Sequence, residues 1–132
     1  MAFEVVETSA SRPAGGRPYS PALRVGDWLV ISGQAATGEH GEVVGRGNPA
    51  EQWRQCLRNI RGLVEEAGGS MGDVVELTIY VTDVTYHLAH SEIRREFFTA
   101  PYPTATAVAV TALAHEDWLV EISARAHLGR AG

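Results

Sequence analysis

The chain has 132 residues, a net charge of −5 at pH 7 and a single cysteine, Cys56. This length predicts one domain spanning residues 1–132, with a core large enough to need neither a disulfide nor a metal. The acidic balance argues against nonspecific binding to nucleic acid or anionic membranes, and no apolar run reaches membrane-spanning length. The N-terminus lacks a basic region followed by an apolar segment, so we expect no secretory signal and a cytoplasmic protein.

Three short strands are predicted in the N-terminal third of the chain. Phe3 to Thr8 alternates in the manner of an edge strand, and Leu23–Val25 with Asp27–Ser32 predicts a hairpin that turns at Gly26. Gly33–Gly47 is rich in glycine and polar residues, which predicts a long loop. Long loops in compact domains are often functional.

A long amphipathic helix is predicted to begin after Asn48. Asn48 suits the N-cap, Pro49 the first helical position and Glu51 the third, while Gly68 can adopt the left-handed conformation that ends a helix. Apolar residues then recur at steps of three and four, which predicts one buried face. These residues are Trp53, Cys56, Leu57, Ile60, Leu63, Val64 and Ala67.

The second half of the chain predicts a strand, a helix and two more strands. Val74–Thr82 alternates strongly, a helix follows Asp83 or Thr85 as its N-cap, and Pro101–Leu113 and Trp118–His127 read as strands. The order β-β-β-α-β-α-β-β predicts an α+β fold in which one six-stranded mixed sheet carries both helices on one face.

The strand after Pro101 has one face of unusually small residues. Thr106 and Val108 point to one side, and Ala105 and Ala107 to the other, where another backbone, subunit or ligand could approach closely. We expect this alanine row to share the uncovered face of the sheet with Glu121. A face so mixed in character predicts contact with other subunits and a pocket between protomers.

Glu121 lies inside an otherwise apolar strand, where a carboxylate needs a partner or a function. It could act as a general base that orients water, or it could form a bond between subunits, for example with a neighbour's Arg125. Tyr19 could form a cleft wall or simply fill space after a proline. Cys56 falls on the apolar helix stripe and is expected in the core, not as a nucleophile. No histidine shows metal-ligand spacing.

Short motifs follow one another in a fixed order along nearly the whole chain. They are Arg17-Pro-Tyr19-Ser-Pro-Ala22, Val30-Ile-Ser-Gly-Gln34, Gln52, Gln55-Cys-Leu-Arg-Asn-Ile60, Ala67-Gly68, Val81-Thr-Asp83, Phe97-Phe98, Tyr102-Pro103 and Val120-Glu-Ile122. In this order and spacing they resemble the RidA/YjgF family. The resemblance implies a chorismate-mutase-like fold and a homotrimer with a small-molecule cleft at each subunit interface. It also implies hydrolysis of 2-aminoacrylate and related enamines or imines to 2-keto acids and ammonia, with no metal or organic cofactor.

The resemblance also implies roles for individual residues. Tyr19 matches a tyrosine that lines the cleft, and Ser32, Gly33 and Gln34 match a turn that contacts the substrate. Glu121 matches the acidic residue that orients or activates the attacking water. We therefore assign Glu121 and Tyr19 to catalysis and the three turn residues to substrate binding.

Two positions depart from the pattern that the resemblance implies. Pro103-Thr-Ala105 places alanine where active deaminases carry an arginine that holds the substrate carboxylate, and Ser91 stands in place of an asparagine. Ala105, its neighbour Thr106 and Ser91 are therefore expected at the substrate. Loss of a charge-assisted pair costs roughly 1.5–3 kcal/mol of binding.

The expected function is that of a trimer acting on an imine, enamine or related nitrogen-bearing metabolite, without the usual arginine-dependent deamination of 2-imino acids. Arg17 or Arg24, or Arg125 presented by a neighbouring subunit, could replace the missing guanidinium. The alternative is a trimer that binds small molecules or proteins and has lost the chemistry. Nucleic-acid cleavage is disfavoured by the acidic balance.

Overall fold

The computed structural model describes residues 3–129, and within them six strands form a single mixed sheet. The strands are β1 (Glu4–Val6), β2 (Ala22–Val25), β3 (Trp28–Ala35), β4 (Val74–Val81), β5 (Thr104–Ala109) and β6 (Val120–His127). Their order across the sheet is β1-β2-β3-β6-β4-β5, and every neighbouring pair is antiparallel except the parallel pair β4 and β5. This confirms the predicted α+β fold with a six-stranded mixed sheet.

The long helix, α1 (Pro49–Glu66), packs across β3 and β6. Its start is as predicted, because the Asn48 side chain accepts a hydrogen bond of 3.0 Å from the Glu51 amide. Beyond its end, Gly68 has φ +90°, a conformation open to glycine at little cost. The apolar stripe is buried as predicted, but Gln52 and Asn59 are buried with it. These two polar residues were not expected in the core.

The hairpin between β2 and β3 turns at Gly26, as predicted, with φ +62°. β3 continues to Ala35, three residues beyond its predicted end, so part of the predicted loop is strand. The strand is longer because it continues to pair with β6 as far as the register pair of Ala35 and Glu121. The register shifts between Ile31 and Gln34, where one extra residue forms a bulge.

The second helix is shorter than predicted. The helix α2 (Thr85–His90) gives way to a 3₁₀ helix over Ser91–Glu96. Asp83 does anchor its start, since its Oδ1 accepts a hydrogen bond of 2.9 Å from the Thr85 amide. The Arg94 Nε donates 2.9 Å to the carbonyl oxygen of Ser91, which occupies an acceptor that a continuing α-helix would use. Two other short 3₁₀ helices span Ala14–Gly16 and Met71–Asp73.

The alanine row of β5 lies on the helix-bearing side of the sheet, so its predicted place on the uncovered face was wrong. Ala105 pairs in register with Leu77, and Ala107 with Ile79, and both of these partners are core residues. Side chains of directly paired residues point to the same side of a sheet. The residues of β5 that share the uncovered face with Glu121 are therefore Thr104, Thr106 and Val108. All six residues of the strand are exposed.

The register of β4 also shifts near its start. The shift lies between Val74 and Glu76, where Val74 is buried and Val75 is only partly buried. Among residues 3–129, no helix combines the length and apolar character needed to cross a membrane.

Candidate functional site

A cleft of about 650 Å³ lies between the N-terminal loop, the end of β3 and the start of β6. Five residues expected at the site line it together: Tyr19, Ser32, Gly33, Gln34 and Glu121. They come from three separate stretches of the chain, which the sheet brings together through the pairing of β3 with β6. The cleft is thus present within a single chain.

The bulge in β3 makes room for the Glu121 carboxyl group. A Cβ atom placed on Gly33 would lie 2.9 Å from Glu121 Cδ, closer than real Cβ contacts allow. Any side chain at position 33 would therefore push the carboxyl group out of its present position. Bulges commonly re-aim side chains next to active sites, and this one leaves Glu121 facing the cleft.

Burial raises the pKa of the Glu121 carboxyl group above its ordinary value, because the surrounding protein desolvates the charged form. Within residues 3–129, no donor or cation is paired with this carboxyl group to oppose the shift. A carboxyl group so poised can accept and return a proton nearer to neutral pH. The alternative partner, Arg125, forms no ion pair with Glu121 in the same chain.

Cys56 lies under β6, where its Sγ is 3.5 Å from the carbonyl oxygen of Val120. Burial raises the pKa of the Cys56 thiol far above its ordinary value, and the Glu121 charge raises it further. The thiol therefore stays protonated and unreactive. This confirms the expectation that Cys56 is a core residue.

Ser32 holds the Tyr19 loop against the sheet. Its hydroxyl donates a hydrogen bond of 2.7 Å to the carbonyl oxygen of Ser20, and its amide donates 2.9 Å to that of Pro21. Gln34 is also engaged, since its amide nitrogen donates 3.0 Å to the Ser32 carbonyl oxygen and the residue is buried. These side chains shape the cleft, whereas the half-exposed phenol of Tyr19 is free to meet a ligand.

Gln52 fixes one wall of the cleft to α1. Its side-chain amide donates 3.1 Å to the carbonyl oxygen of Gly45 and 2.8 Å to that of Asp117. Its side-chain oxygen accepts a hydrogen bond of 2.8 Å from the Leu119 amide. The segment held in this way includes Trp118, which lines the cleft.

Asn59 fixes another part of the cleft lining. Its amide donates to the carbonyl oxygens of Ala35 and Thr37, at 3.1 and 2.9 Å, and the Thr37 hydroxyl donates 2.7 Å to the carbonyl oxygen of Ala10. The helix is thereby linked to the N-terminal loop. Gln52 and Asn59 were missed as site-supporting residues. The two residues are seven apart and lie four and three residues from Cys56, so they share the buried face of the helix. This spacing could have indicated that they are buried.

The remaining predicted site residues lie elsewhere. Ser91 lines a separate pocket of about 190 Å³, and Ala105 and Thr106 are exposed on the edge strand β5. Of the three arginines considered as substitutes, only Arg17 lines the cleft. Arg24 instead donates to the carbonyl oxygens of Gly26 and Ala67.

Trp118 also contributes a surface of the cleft, although it was not among the residues expected there. Its ring lies 5.5 Å from that of His115, measured between centroids. Its Nε1 is buried without a hydrogen-bond partner. Trp53 is fully buried, as its place on the apolar stripe of α1 predicted, while Trp28 is exposed beside His127.

Comparison with known proteins agrees with this architecture. Residues 9–128 match the family described as Endoribonuclease L-PSP. A RutC family protein from Pyrococcus abyssi is 38% identical over 129 residues, covering 96% of this chain and 98% of that protein. Among solved structures, a Rid family protein from Yersinia pestis described as of unknown function has a TM-score of 0.86 at 31% identity, covering 96% of this chain and all of that chain. The YjgF gene product from E. coli has a TM-score of 0.83 at 32% identity, with 96% and 99% coverage.

The sheet order and the similarity to these solved structures place the chain in the class of Rid-type folds. The chain belongs to the RidA/YjgF family, also described as the L-PSP family. The family predicted from the ordered motifs is confirmed.

Proposed function

We propose that this protein forms a homotrimer that acts on an imine, enamine or related nitrogen-bearing metabolite, with Glu121 as the group that handles the proton. The observation that carries the proposal is the unpaired, partly buried Glu121 carboxyl group in a cleft that the phenol of Tyr19 also lines. Structural ion pairs also perturb carboxyl groups, but within residues 3–129 Glu121 has no such pair.

The chemistry follows from these two groups. The Glu121 carboxylate accepts a proton from water as the water oxygen bonds to the imine carbon and the carbon–nitrogen π electrons move to nitrogen. Glu121 passes this proton to the nitrogen, which gives a carbinolamine. Glu121 then accepts the proton of the new hydroxyl group and delivers it to the nitrogen as the carbon–nitrogen bond breaks and the carbonyl forms. The net reaction converts imine and water to carbonyl and ammonia. Tyr19 would orient the substrate by donating a hydrogen bond.

The proposed substrate is larger than a three-carbon imino acid, or depends less on its carboxylate. Ala105 offers no charge where the resemblance implies an arginine, and loss of such a pair weakens binding roughly 10- to 150-fold. We expect hydrolysis of 2-iminopropionate to be slow and hydrolysis of bulkier imines to be faster.

The trimer is supported by the uncovered face of the sheet. Trp28, Val30 and Val108 lie on this face and are 43%, 44% and 41% exposed, so the face carries apolar side chains that a neighbouring subunit could cover. Packing of this face against neighbours would cover them. It would also allow β5 of one subunit, with Ala105 and Thr106, to approach the cleft of another.

The test is hydrolysis of imines generated in place by an amino acid oxidase and trapped with semicarbazide. Loss of trapped product would be followed for imines made from alanine and from leucine, with and without the protein. The wild type should accelerate loss of the leucine-derived imine more than that of the alanine-derived one. Glu121→Gln should lower the rate by about 100-fold or more with the oligomer intact.

The matched control is Glu65→Gln, which changes an exposed carboxylate on α1 far from the cleft lining and should leave the rate unchanged. An unchanged rate in Glu121→Gln would overturn the catalytic assignment. Dissociation of the oligomer in that variant would instead assign Glu121 to the interface.

A second candidate is a non-catalytic trimer that binds a small molecule. Ala105 and Ser91, which replace two groups that the resemblance implies, favour it. The same assay separates the candidates, because a binding protein would accelerate neither imine. A cleft ligand would then bind the wild type and Glu121→Gln alike.

A further inference from the structure

The cleft that holds Glu121 also contains charged or titratable side chains that the proposed chemistry does not use. They are Arg12, Arg17, Glu39 and His40. The two arginines come from the loop before β2, and the other two residues come from the loop after β3. A charge in a cleft lining selects among ligands, because a group of opposite charge on the ligand binds it better than a neutral group does.

Arg12 and Arg17 differ in whether an anion already balances their charge. The Nε of Arg12 lies 3.6 Å from Oε2 of Glu7, so this arginine has a partner. Arg17 is exposed, and among residues 3–129 no carboxylate pairs with its guanidinium, including those of Glu39 and Glu121 in the same cleft. The Arg17 guanidinium is therefore available to an anionic ligand.

The backbone that carries Arg17 is fixed to the sheet. The Arg17 amide donates a hydrogen bond of 3.3 Å to the carbonyl oxygen of Ala14, and the Arg17 carbonyl oxygen accepts one of 2.9 Å from the Tyr19 amide. The second bond closes a three-residue turn centred on Pro18, whose ring restricts the backbone further. Ser32 holds the residues that follow to β3. Arg17 and Tyr19 are thereby kept at the same cleft.

We propose that Arg17 binds an anionic group of the substrate that is remote from the reacting carbon. The cleft would then prefer imines that carry a carboxylate several bonds away from the imine carbon. The planar pair of donors on a guanidinium matches a carboxylate. This inference rests on the proposed function and names its substrate class: Glu121 would act at the imine carbon while Arg17 holds the other end of the molecule.

The different exposure of the two groups indicates where each end of the substrate would lie. The Glu121 carboxyl group is partly buried beside Gly33, whereas the Arg17 side chain is exposed. The two side chains form no ion pair with each other, so a ligand can interact with each of them separately. A substrate whose imine carbon lies at Glu121 would extend outwards, and a carboxylate at its outer end would meet Arg17.

Arg17 does not occupy the place of the arginine that the resemblance implies. That position is Ala105 on β5, which lies at the edge of the sheet and does not line the cleft of its own chain. A carboxylate attached directly to the imine carbon would need a partner close to Glu121, and the exposed Arg17 is not placed there. The Arg17 charge therefore selects for a second anionic group elsewhere in the substrate.

The test compares two imines of equal length that differ only at the end remote from the imine carbon. The imine made from glutamate carries a carboxylate at that end, and the imine made from glutamine carries a neutral carboxamide. Each would be generated at the same rate by a suitable amino acid oxidase and trapped with semicarbazide. The wild type should accelerate loss of the glutamate-derived imine about fivefold more, a modest factor because water screens an exposed guanidinium.

Three variants assign this preference to a particular arginine. Arg17→Gln should remove the preference, mainly by raising KM for the glutamate-derived imine. Arg17→Lys should retain part of it, because the charge remains while the planar pair of donors is lost. The matched control is Arg58→Gln, which removes a guanidinium that pairs with Glu51 on α1 and should keep the full preference.

A binding measurement tests Arg17 without relying on the chemistry. 2-Oxoglutarate, the keto acid that the glutamate-derived imine would yield, would be titrated calorimetrically into the full chain. Arg17→Gln should weaken its binding about fivefold relative to Arg58→Gln. The affinity for 4-methyl-2-oxopentanoate, which has an uncharged end, should change less. Added salt should weaken the binding of 2-oxoglutarate to the wild type more than that of the second keto acid.

The outcomes distinguish this inference from the proposed function. If no imine is hydrolysed but Arg17→Gln weakens the binding of 2-oxoglutarate, the proposed chemistry fails and the role of Arg17 stands. Equal rates for the two imines in an active wild type would overturn that role. In an inactive protein, equal affinity of Arg17→Gln and Arg58→Gln for 2-oxoglutarate, or no binding at all, would overturn it. Loss of the preference in Arg12→Gln but not in Arg17→Gln would also reject the assignment.

Discussion

The centre of the sheet and its β5 edge differ in how far a single chain completes them. At the central junction of β3 and β6, the cleft walls are held to α1 by hydrogen bonds from Gln52 and Asn59, and Glu121 faces the cleft across Gly33. At the edge, β5 pairs only with β4, and all six of its residues are exposed. The first region is rigidly supported, whereas the second presents an unpaired edge that natural sheets rarely leave open.

This difference divides the roles of the predicted site residues. Glu121, the group that would carry the chemistry, lies in the completed region. Ser91, Ala105 and Thr106, which were expected to contact the substrate, lie near the incomplete one. In the proposed trimer, each cleft would use Glu121 of its own chain to handle the proton. The β5 edge of a neighbouring subunit would determine which substrates that cleft accepts. Substitutions at the cleft should therefore change the reaction rate or the free energy of unfolding, whereas substitutions on β5 should change the oligomeric state.

The largest effect on folding is expected from Gln52→Ala. The substitution leaves the carbonyl oxygens of Gly45 and Asp117 and the amide of Leu119 without their partner in a buried place. We expect a loss of about 2–4 kcal/mol in the free energy of unfolding, since each unsatisfied buried group costs about 1–3 kcal/mol before relaxation. Urea denaturation measures it, with the exposed Glu65→Ala as control. Equal stability of the two variants would mean that Gln52 does not support the cleft wall.

Gly33→Ala should act on the rate more than on stability. The new Cβ would displace the Glu121 carboxyl group, but that group ends a flexible side chain and can rotate away. Misplacing a reacting group by about 1 Å can cost on the order of 100-fold in rate. The imine assay therefore should show a loss of about that size, while unfolding changes by less than about 1 kcal/mol.

Gly62→Ala is the matched control for this substitution. Its Cβ would meet Thr8 Cγ2 at 3.6 Å, an ordinary contact, and the residue lies within α1. Alanine is favoured over glycine in a helix by roughly 0.5–1 kcal/mol, so this variant should be slightly more stable with an unchanged rate. An equal loss of rate in Gly62→Ala and Gly33→Ala would contradict the claim that the bulge at Gly33 positions the Glu121 carboxyl group.

Local patterns predicted the elements that are decided locally. The Asn48 cap, the glycine turns and the α1 stripe all follow from residues near one another in sequence. The side of the sheet to which Ala105 points depends on its pairing with Leu77, which is far away in the chain, and periodicity alone left it open. The bulge opposite Glu121 was missed for the same reason.

The site was predictable as a set of residues but not as a geometry. The ordered motifs identified Tyr19, the turn at Ser32–Gln34 and Glu121, and these residues do line one cleft. The motifs did not reveal that Ser32 and Gln34 are occupied with structural hydrogen bonds.

Glu121 should make the free energy of unfolding depend on pH, and this effect should be smaller than the loss expected in Gln52→Ala. Its folded-state pKa is raised, so the folded chain holds the proton more tightly than the unfolded chain does. The resulting stabilisation is complete below the unfolded pKa and is lost as pH rises through the folded one. Glu121→Gln should therefore gain stability relative to wild type between acidic and mildly alkaline pH. Denaturant midpoints at several pH values measure the gain, and parallel curves for the two proteins would contradict the raised pKa.

The smallest effect on the single chain, and the sharpest test of the second region, is expected from Val108→Lys. Val108 is 41% exposed on the uncovered face, so lysine should change the chain's own stability by no more than about 0.5 kcal/mol. In the proposed trimer the same charge would be buried without a partner and would drive dissociation. Leu88→Lys is the control, because Leu88 is 72% exposed on α2, away from that face. Sedimentation should show smaller particles for Val108→Lys alone, and an intact oligomer in both variants would place the interface elsewhere than the β5 face.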